Sequence, residues 1–107
     1  MTWAKQAIED LEAGANSVVV KPRGSSMHPK VKDGATVTVC PIVSPSLLTE
    51  GDVVLVTVKG YTYLHLIKRF RGHGDKLEVM IGNNHGRLNG WTSAKNVHGI
   101  AREIVNG

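Results

Sequence analysis

Apolar residues recur with a helical period at the start of the chain. These positions are Trp3, Ala4, Ala7, Ile8 and Leu11. Their spacing places them on one face of a helix. Thr2 is a suitable N-cap and Gly14 a suitable stop signal. The pattern therefore predicts one short amphipathic helix over Thr2–Glu12.

After this helix the pattern changes to short runs of β-branched and apolar residues, separated by proline, glycine and aspartate. Such punctuation is typical of strands and turns, and Lys59-Gly60 has the composition of a two-residue hairpin loop. The predicted strands are Ser17–Lys21, Ala35–Cys40, Val53–Val58, Tyr61–Phe70, Lys76–Ile81 and Val97–Val105. We expect loops over Pro41–Leu48 and Asn83–Trp91.

Many short strands with one N-terminal helix favour a mostly-β fold, either a folded sheet or a partly open barrel. A length of 107 residues allows one domain with one modest core. We therefore expect a single domain over residues 1–107, with the helix in 1–14 and the β domain in 17–105.

Charge and cysteine content change this picture little. The net charge is +4, and the single cysteine, Cys40, fits a reducing compartment. No run approaches the roughly 18–20 apolar residues of a spanning helix, and no basic and then apolar leader opens the chain. From the sequence we expect a cytoplasmic protein without a membrane anchor.

Candidate chemistry lies in a turn of small residues, Arg23-Gly24-Ser25-Ser26-Met27-His28-Pro29. A serine hydroxyl becomes a good nucleophile only when a positioned base takes its proton. Lys68 is the candidate base for Ser26. Strict alternation along the predicted strand places Lys68 on the face of Leu66 and Phe70, among apolar neighbours. Such surroundings disfavour the charged form of an amine, which makes it a usable base.

Several short motifs, taken in order, resemble the Ser–Lys peptidases of the S24/S26 superfamily, which include signal peptidase I and the LexA- and UmuD-like self-cleaving proteins. The matching stretches are Gly24–Pro29, Asp33-Gly34, Gly51-Asp52 and Lys68-Arg69, with weaker likeness in Gly82-Asn83-Asn84 and Asn96–Ala101. The resemblance extends from about Val18 to Val105. Each motif alone is weak, whereas their order is fairly specific.

The resemblance implies a serine endopeptidase that needs no cofactor and no metal. Ser26 would be the nucleophile and Lys68 the base. Ser25 and the backbone N–H of Ser26 would support the oxyanion, and Met27 would line the substrate cleft. The partner would be a peptide or protein, bound as an extended strand with small side chains near the cut. Cleavage of the chain itself and formation of a homodimer stay open.

One departure from the family pattern keeps other functions open. Signal peptidases often carry a hydroxyl residue where this chain has Gly24. A second hypothesis is therefore an inactive peptidase fold that binds a protein partner. A third hypothesis is a nucleic-acid-binding β module, suggested by basic residues beside Tyr61 and Tyr63. We favour it less, because no recognised binding motif accompanies these residues.

Two further features have simpler explanations. The bond Ala13-Gly14 resembles the cleavage site of self-cleaving relatives, but the same residues are typical of a helix end. The five histidines lack the spacing of a zinc site.

Overall fold

The computed structural model describes residues 2–107, with the backbone alone at Thr2. Within that range, seven antiparallel strands form one open sheet, and a single α-helix packs at one end of it. The helix is α1 (Thr2–Glu12), and the strands are β1 (Val18–Val20), β2 (Thr36–Cys40), β3 (Val53–Val58), β4 (Tyr61–Arg71), β5 (Glu78–Gly82), β6 (Leu88–Ser93) and β7 (Val97–Val105). The sheet order is β1-β2-β7-β3-β4-β5-β6. The mostly-β prediction is confirmed.

Helix α1 has the bounds that the apolar spacing predicts. Its apolar face is buried at Ala4, Ala7 and Leu11. The helix stops at Gly14, whose φ of 101° favours glycine and whose N–H bonds the carbonyl of Leu11. The predicted N-cap role of Thr2 lies outside the described side chains. None of the helices in residues 2–107 is both long and apolar enough to cross a membrane.

The sheet buries apolar residues on both faces, because successive side chains of a strand point to opposite sides. On one face, Leu55 of β3 packs with Leu64 and Leu66 of β4 and with α1. On the other, Val54 and Val56 pack with residues of β5 and β7. The continuous apolar run of β3 therefore marks a strand at the centre of the fold.

The β3–β4 hairpin confirms the two-residue loop. Lys59 and Gly60 have φ angles of 52° and 85°, as a type I′ turn requires at both central positions. The turn fixes the pairing of Val58 with Tyr61 and of Val53 with Leu66.

A bulge in β4 corrects the predicted face of one residue. The register with β5 shifts between Ile67 and Arg69, which leaves Lys68 as the extra residue. An extra residue reverses the alternation beyond it. Phe70 consequently packs in the same cluster as Ile67, so its predicted position beside Leu66 is wrong.

The second half of the predicted loop Asn83–Trp91 is also wrong, because β6 begins at Leu88. Polar residues and glycines in this segment favour a loop locally, yet the backbone of residues 88–93 pairs with β5. The register shifts between Ile81 and Gly82, so that Asn89 is an extra residue in β6. Bulges re-aim side chains and are frequent beside active sites.

Candidate active site

Ser26 lies on an exposed turn between β1 and β2 that is tied to the fold at several points. The N–H of Gly24 donates to the carboxylate of Asp33 at 2.7 Å, and the N–H of Asn84 donates to the carbonyl of Ser26 at 3.0 Å. The next residue, Met27, is 4% exposed and packs in the core. The Ser26 hydroxyl is therefore presented from an anchored loop.

The β5–β6 turn makes further hydrogen bonds to residues 24–29, which we call the serine loop. The side-chain amide of Asn84 donates to the carbonyl of His28 at 3.3 Å, and Nε2 of His85 donates to the carbonyl of Ser25 at 3.1 Å. The side chain of Asn83 accepts two backbone N–H groups within its own turn. The motif Gly82-Asn83-Asn84 thus positions the serine.

The side chain that contacts the serine is a histidine. Oγ of Ser26 lies 3.1 Å from Nε2 of His65, a β4 residue that is 7% exposed. The other ring nitrogen, Nδ1, lies 2.7 Å from Oδ1 of Asn89. An amide oxygen can only accept, so Nδ1 carries the proton and Nε2 accepts from the serine hydroxyl. The three side chains form a continuous Ser–His–Asn chain.

The surroundings of His65 favour its neutral form. Burial lowers the pKa of this imidazole below the ordinary value of 6.5; the hydrogen bond to Asn89 opposes that shift, and the positive charge of Lys68 adds to it. Neutral imidazole is the form that can accept a proton. At neutral pH, His65 is therefore ready to act as a base.

Lys68 belongs to the same neighbourhood without contacting the serine. It is half-buried, and among residues 2–107 it makes no hydrogen bond to Ser26. Its side-chain stem lies against Gly82, where an added Cβ would come within 3.0 Å of Cε of Lys68. Its charge nevertheless affects His65. The Ser26–Lys68 dyad stays a prediction.

The backbone accounts for the missing hydroxyl at Gly24. Its φ of 101° is strained for residues with a side chain, and its N–H is already bonded to Asp33. Ser25 is exposed, and its carbonyl is engaged by His85. Within the described residues no bond engages the N–H of Ser26. That N–H is therefore free to act as an oxyanion donor.

Ser26 and His65 lie where two pockets meet. One, of about 120 Å³, is lined by apolar residues such as Met27 and Leu64 and also by the basic residues Arg23 and Lys32. The other, of about 330 Å³, is polar and is lined by residues that include Arg87. The pairing of β4 with β5 begins only at Leu66, so the preceding part of β4 lacks a β5 partner.

Comparison with known families adds to this geometry. The sequence model of the family described as Peptidase S24-like matches residues 1–102. The chain belongs to the S24-like peptidase family. That match spans the serine loop, β4 and the β5–β6 turn, and it agrees with the resemblance seen in the motifs. A search of curated proteins found no match.

Two side chains of this S24-like site were missed by sequence reasoning. The sequence indicates His65 only as one of five histidines, which lack the spacing of a zinc site. A usable signal was present, because a polar ring inside the apolar run Leu64–Ile67 needs hydrogen-bond partners once it is buried. Asn89 gave no such signal, since its position depends on a bulge that the local sequence does not mark.

Proposed function

We propose that this S24-like chain is a serine endopeptidase in which Ser26 Oγ attacks the scissile carbonyl. The observation that carries the proposal is the 3.1 Å contact between that hydroxyl and a ring nitrogen of His65. A hydroxyl on an anchored loop, beside a base and between two pockets, has the arrangement that nucleophilic catalysis needs. Family membership favours peptide bonds as the target.

The proposed reaction begins when the base takes the proton of Ser26 and Oγ bonds to the carbonyl carbon. The N–H of Ser26 then stabilises the negative oxygen. Collapse of this intermediate breaks the C–N bond, and the base returns the proton to the leaving nitrogen. Water, deprotonated by the same base, then attacks the acyl-serine and releases Ser26 with its proton restored.

Two side chains are candidates for the base. The family resemblance favours Lys68, and contact geometry favours His65. Ser26 is the nucleophile in either case, and no cofactor enters the reaction.

The two pockets indicate what kind of substrate fits. An extended peptide could add beside the unpaired part of β4, with its backbone bonded to the strand and its side chains in the pockets. The 120 Å³ pocket beside Met27 favours a small side chain on one side of the cut. Arg87 in the second pocket favours a polar or acidic residue on the other side.

Reaction with a fluorophosphonate probe tests the proposal. Attack by Ser26 forms an oxygen–phosphorus bond and expels fluoride, which adds a defined mass. We expect one adduct, mapped to Ser26 by peptide mass spectrometry, and none in Ser26→Ala. Ser46→Ala is a matched control, since Ser46 is exposed on the β2–β3 connection, and should label like wild type.

The same preparations are then incubated with a library of internally quenched peptides. Cleavage by wild type and Ser46→Ala, but not by Ser26→Ala, is the expected result. A folded wild-type protein that shows neither labelling nor cleavage at any pH would overturn the proposal in favour of an inactive domain that binds a protein partner.

A further inference from the structure

We propose that His65, oriented by Asn89, is the base that activates Ser26. The inference rests on the proposed function, because it assigns the base of that reaction. It departs from the Ser–Lys arrangement that the sequence resemblance implies.

The first support is the fixed orientation of the imidazole. Its Nδ1–H is bonded to Asn89 at 2.7 Å, and its ring stacks on Tyr63 with centroids 4.8 Å apart and planes inclined by 23°. With 7% of the residue exposed, there is little space for the ring to turn. The lone pair of Nε2 is therefore held toward Oγ of Ser26.

The second support concerns why a histidine should be buried at this position. A purely structural histidine would satisfy its nitrogens with groups of the protein interior. Nε2 of His65 instead accepts a hydrogen bond from the hydroxyl of Ser26. Ser26 is exposed and lies where the two pockets meet. A contact of that kind is open to substrate, as a nucleophile and its base must be.

The third support is that the residues can carry the proton through the whole cycle. The proton moves from Oγ of Ser26 to Nε2 of His65 as the oxygen–carbon bond forms. The imidazolium keeps its Nδ1–H bond to Asn89 and then gives the Nε2 proton to the leaving amine nitrogen as the C–N bond breaks. In the second half, Nε2 takes a proton from water and returns it to Ser26.

Lys68 takes a different part in this arrangement. Its positive charge disfavours a second positive charge on His65 and so keeps the imidazole neutral and able to accept. The other titratable groups near His65 are Arg87, Arg23 and Lys32 in the pockets that His65 lines, the stacked Tyr63, and His85 on the β5–β6 turn. Among the described residues lining the two pockets there is no carboxylate to offset Lys68.

The test is the pH dependence of the rate at which the fluorophosphonate probe labels Ser26. If neutral His65 is the base, the wild-type rate rises with pH through an inflection below 6.5, because burial and Lys68 lower the pKa of His65. Loss of the base in His65→Gln should reduce the rate by about 10²–10⁴-fold.

Lys68→Met separates the two bases. We expect this variant to keep labelling Ser26, with its inflection moved to higher pH because a charge that opposes protonation of His65 is gone. Arg69→Met is the matched control: it removes the adjacent, exposed positive charge, and its inflection should stay at the wild-type pH. Loss of labelling in Lys68→Met, with labelling kept in His65→Gln, would overturn the inference while leaving Ser26 as the nucleophile.

Asn89 is tested as a positioning residue by two variants that leave His65 in place. Asn89→Ala should slow labelling and move the inflection to lower pH, since the hydrogen bond that raises the pKa is lost. Asn89→Asp should move it to higher pH, because a carboxylate stabilises the imidazolium. Inflections that do not move in either variant would contradict the assigned role. These variants and Lys68→Met decide the question even if His65→Gln does not fold.

Discussion

Two histidines, the buried His65 and the half-buried His98, should make the stability of this protein depend on pH. Burial lowers the pKa of both His65 and His98 below 6.5. In the unfolded chain each returns to about 6.5. The unfolded state therefore binds more protons as the pH falls through 6.5, and acidification favours unfolding. The stabilising contribution is present above pH 6.5 and is lost toward the lower pKa values of the folded state.

The size of the effect follows from the number of protons. Each histidine contributes a slope of at most about 1.4 kcal/mol per pH unit, reached where the unfolded state is protonated and the folded state is not. Two histidines therefore give at most about 2.8 kcal/mol per pH unit. This is a large share of the total for a small domain, whose free energy of unfolding is about 5–15 kcal/mol.

Urea denaturation at constant ionic strength, between about pH 5.5 and 7.5, measures this slope around the ordinary pKa of histidine. We expect His65→Gln and His98→Gln each to flatten it. His73→Gln is the control, because His73 is exposed in the β4–β5 turn, and it should leave the slope unchanged. An unaltered slope in His65→Gln would refute the claim that burial keeps this ring neutral.

Three substitutions test the packing of the core and the conformation of the serine loop. Gly99→Ala should destabilise the fold by about 1–3 kcal/mol in urea titrations, because its Cβ would lie 2.6 Å from Cγ1 of Val39; an unchanged midpoint would contradict this close approach. Leu55→Ala, at a fully buried position, should lower the free energy of unfolding by about 2–5 kcal/mol, and a loss below about 1 kcal/mol would show that the site is not core. Gly24→Ser restores the hydroxyl typical of signal peptidases, yet it should not accelerate labelling of Ser26, because φ there is 101°; faster labelling would show that the loop tolerates the side chain.

Local sequence predicted the elements whose causes are local. The apolar spacing determines α1, and Lys59-Gly60 determines the hairpin that aligns β3 with β4. The small residues of Arg23–Pro29 likewise predict the turn that carries Ser26. In each case the relevant physics, periodicity or a positive φ, acts within a few residues.

The partner of the serine depended on long-range structure instead. Strict alternation does not anticipate the bulges at Lys68 and Asn89, because each arises from pairing with β5. The contact with His65 also requires the loop of Ser26 to dock against Asn84, which lies 58 residues further along the chain. A single sequence contains no local signal for such docking. From the sequence alone, the order of the motifs therefore remains the main guide to the base, and it points to Lys68.

Fluorophosphonate labelling of Ser26 in Lys68→Met, followed by intact mass and peptide mapping across pH, tests directly which side chain activates the serine. If His65 is the base, a single adduct forms on Ser26, at a rate that rises with pH through an inflection above that of wild type. A folded variant that forms no adduct at any pH, while wild type labels, would contradict His65 as the base and assign that role to Lys68.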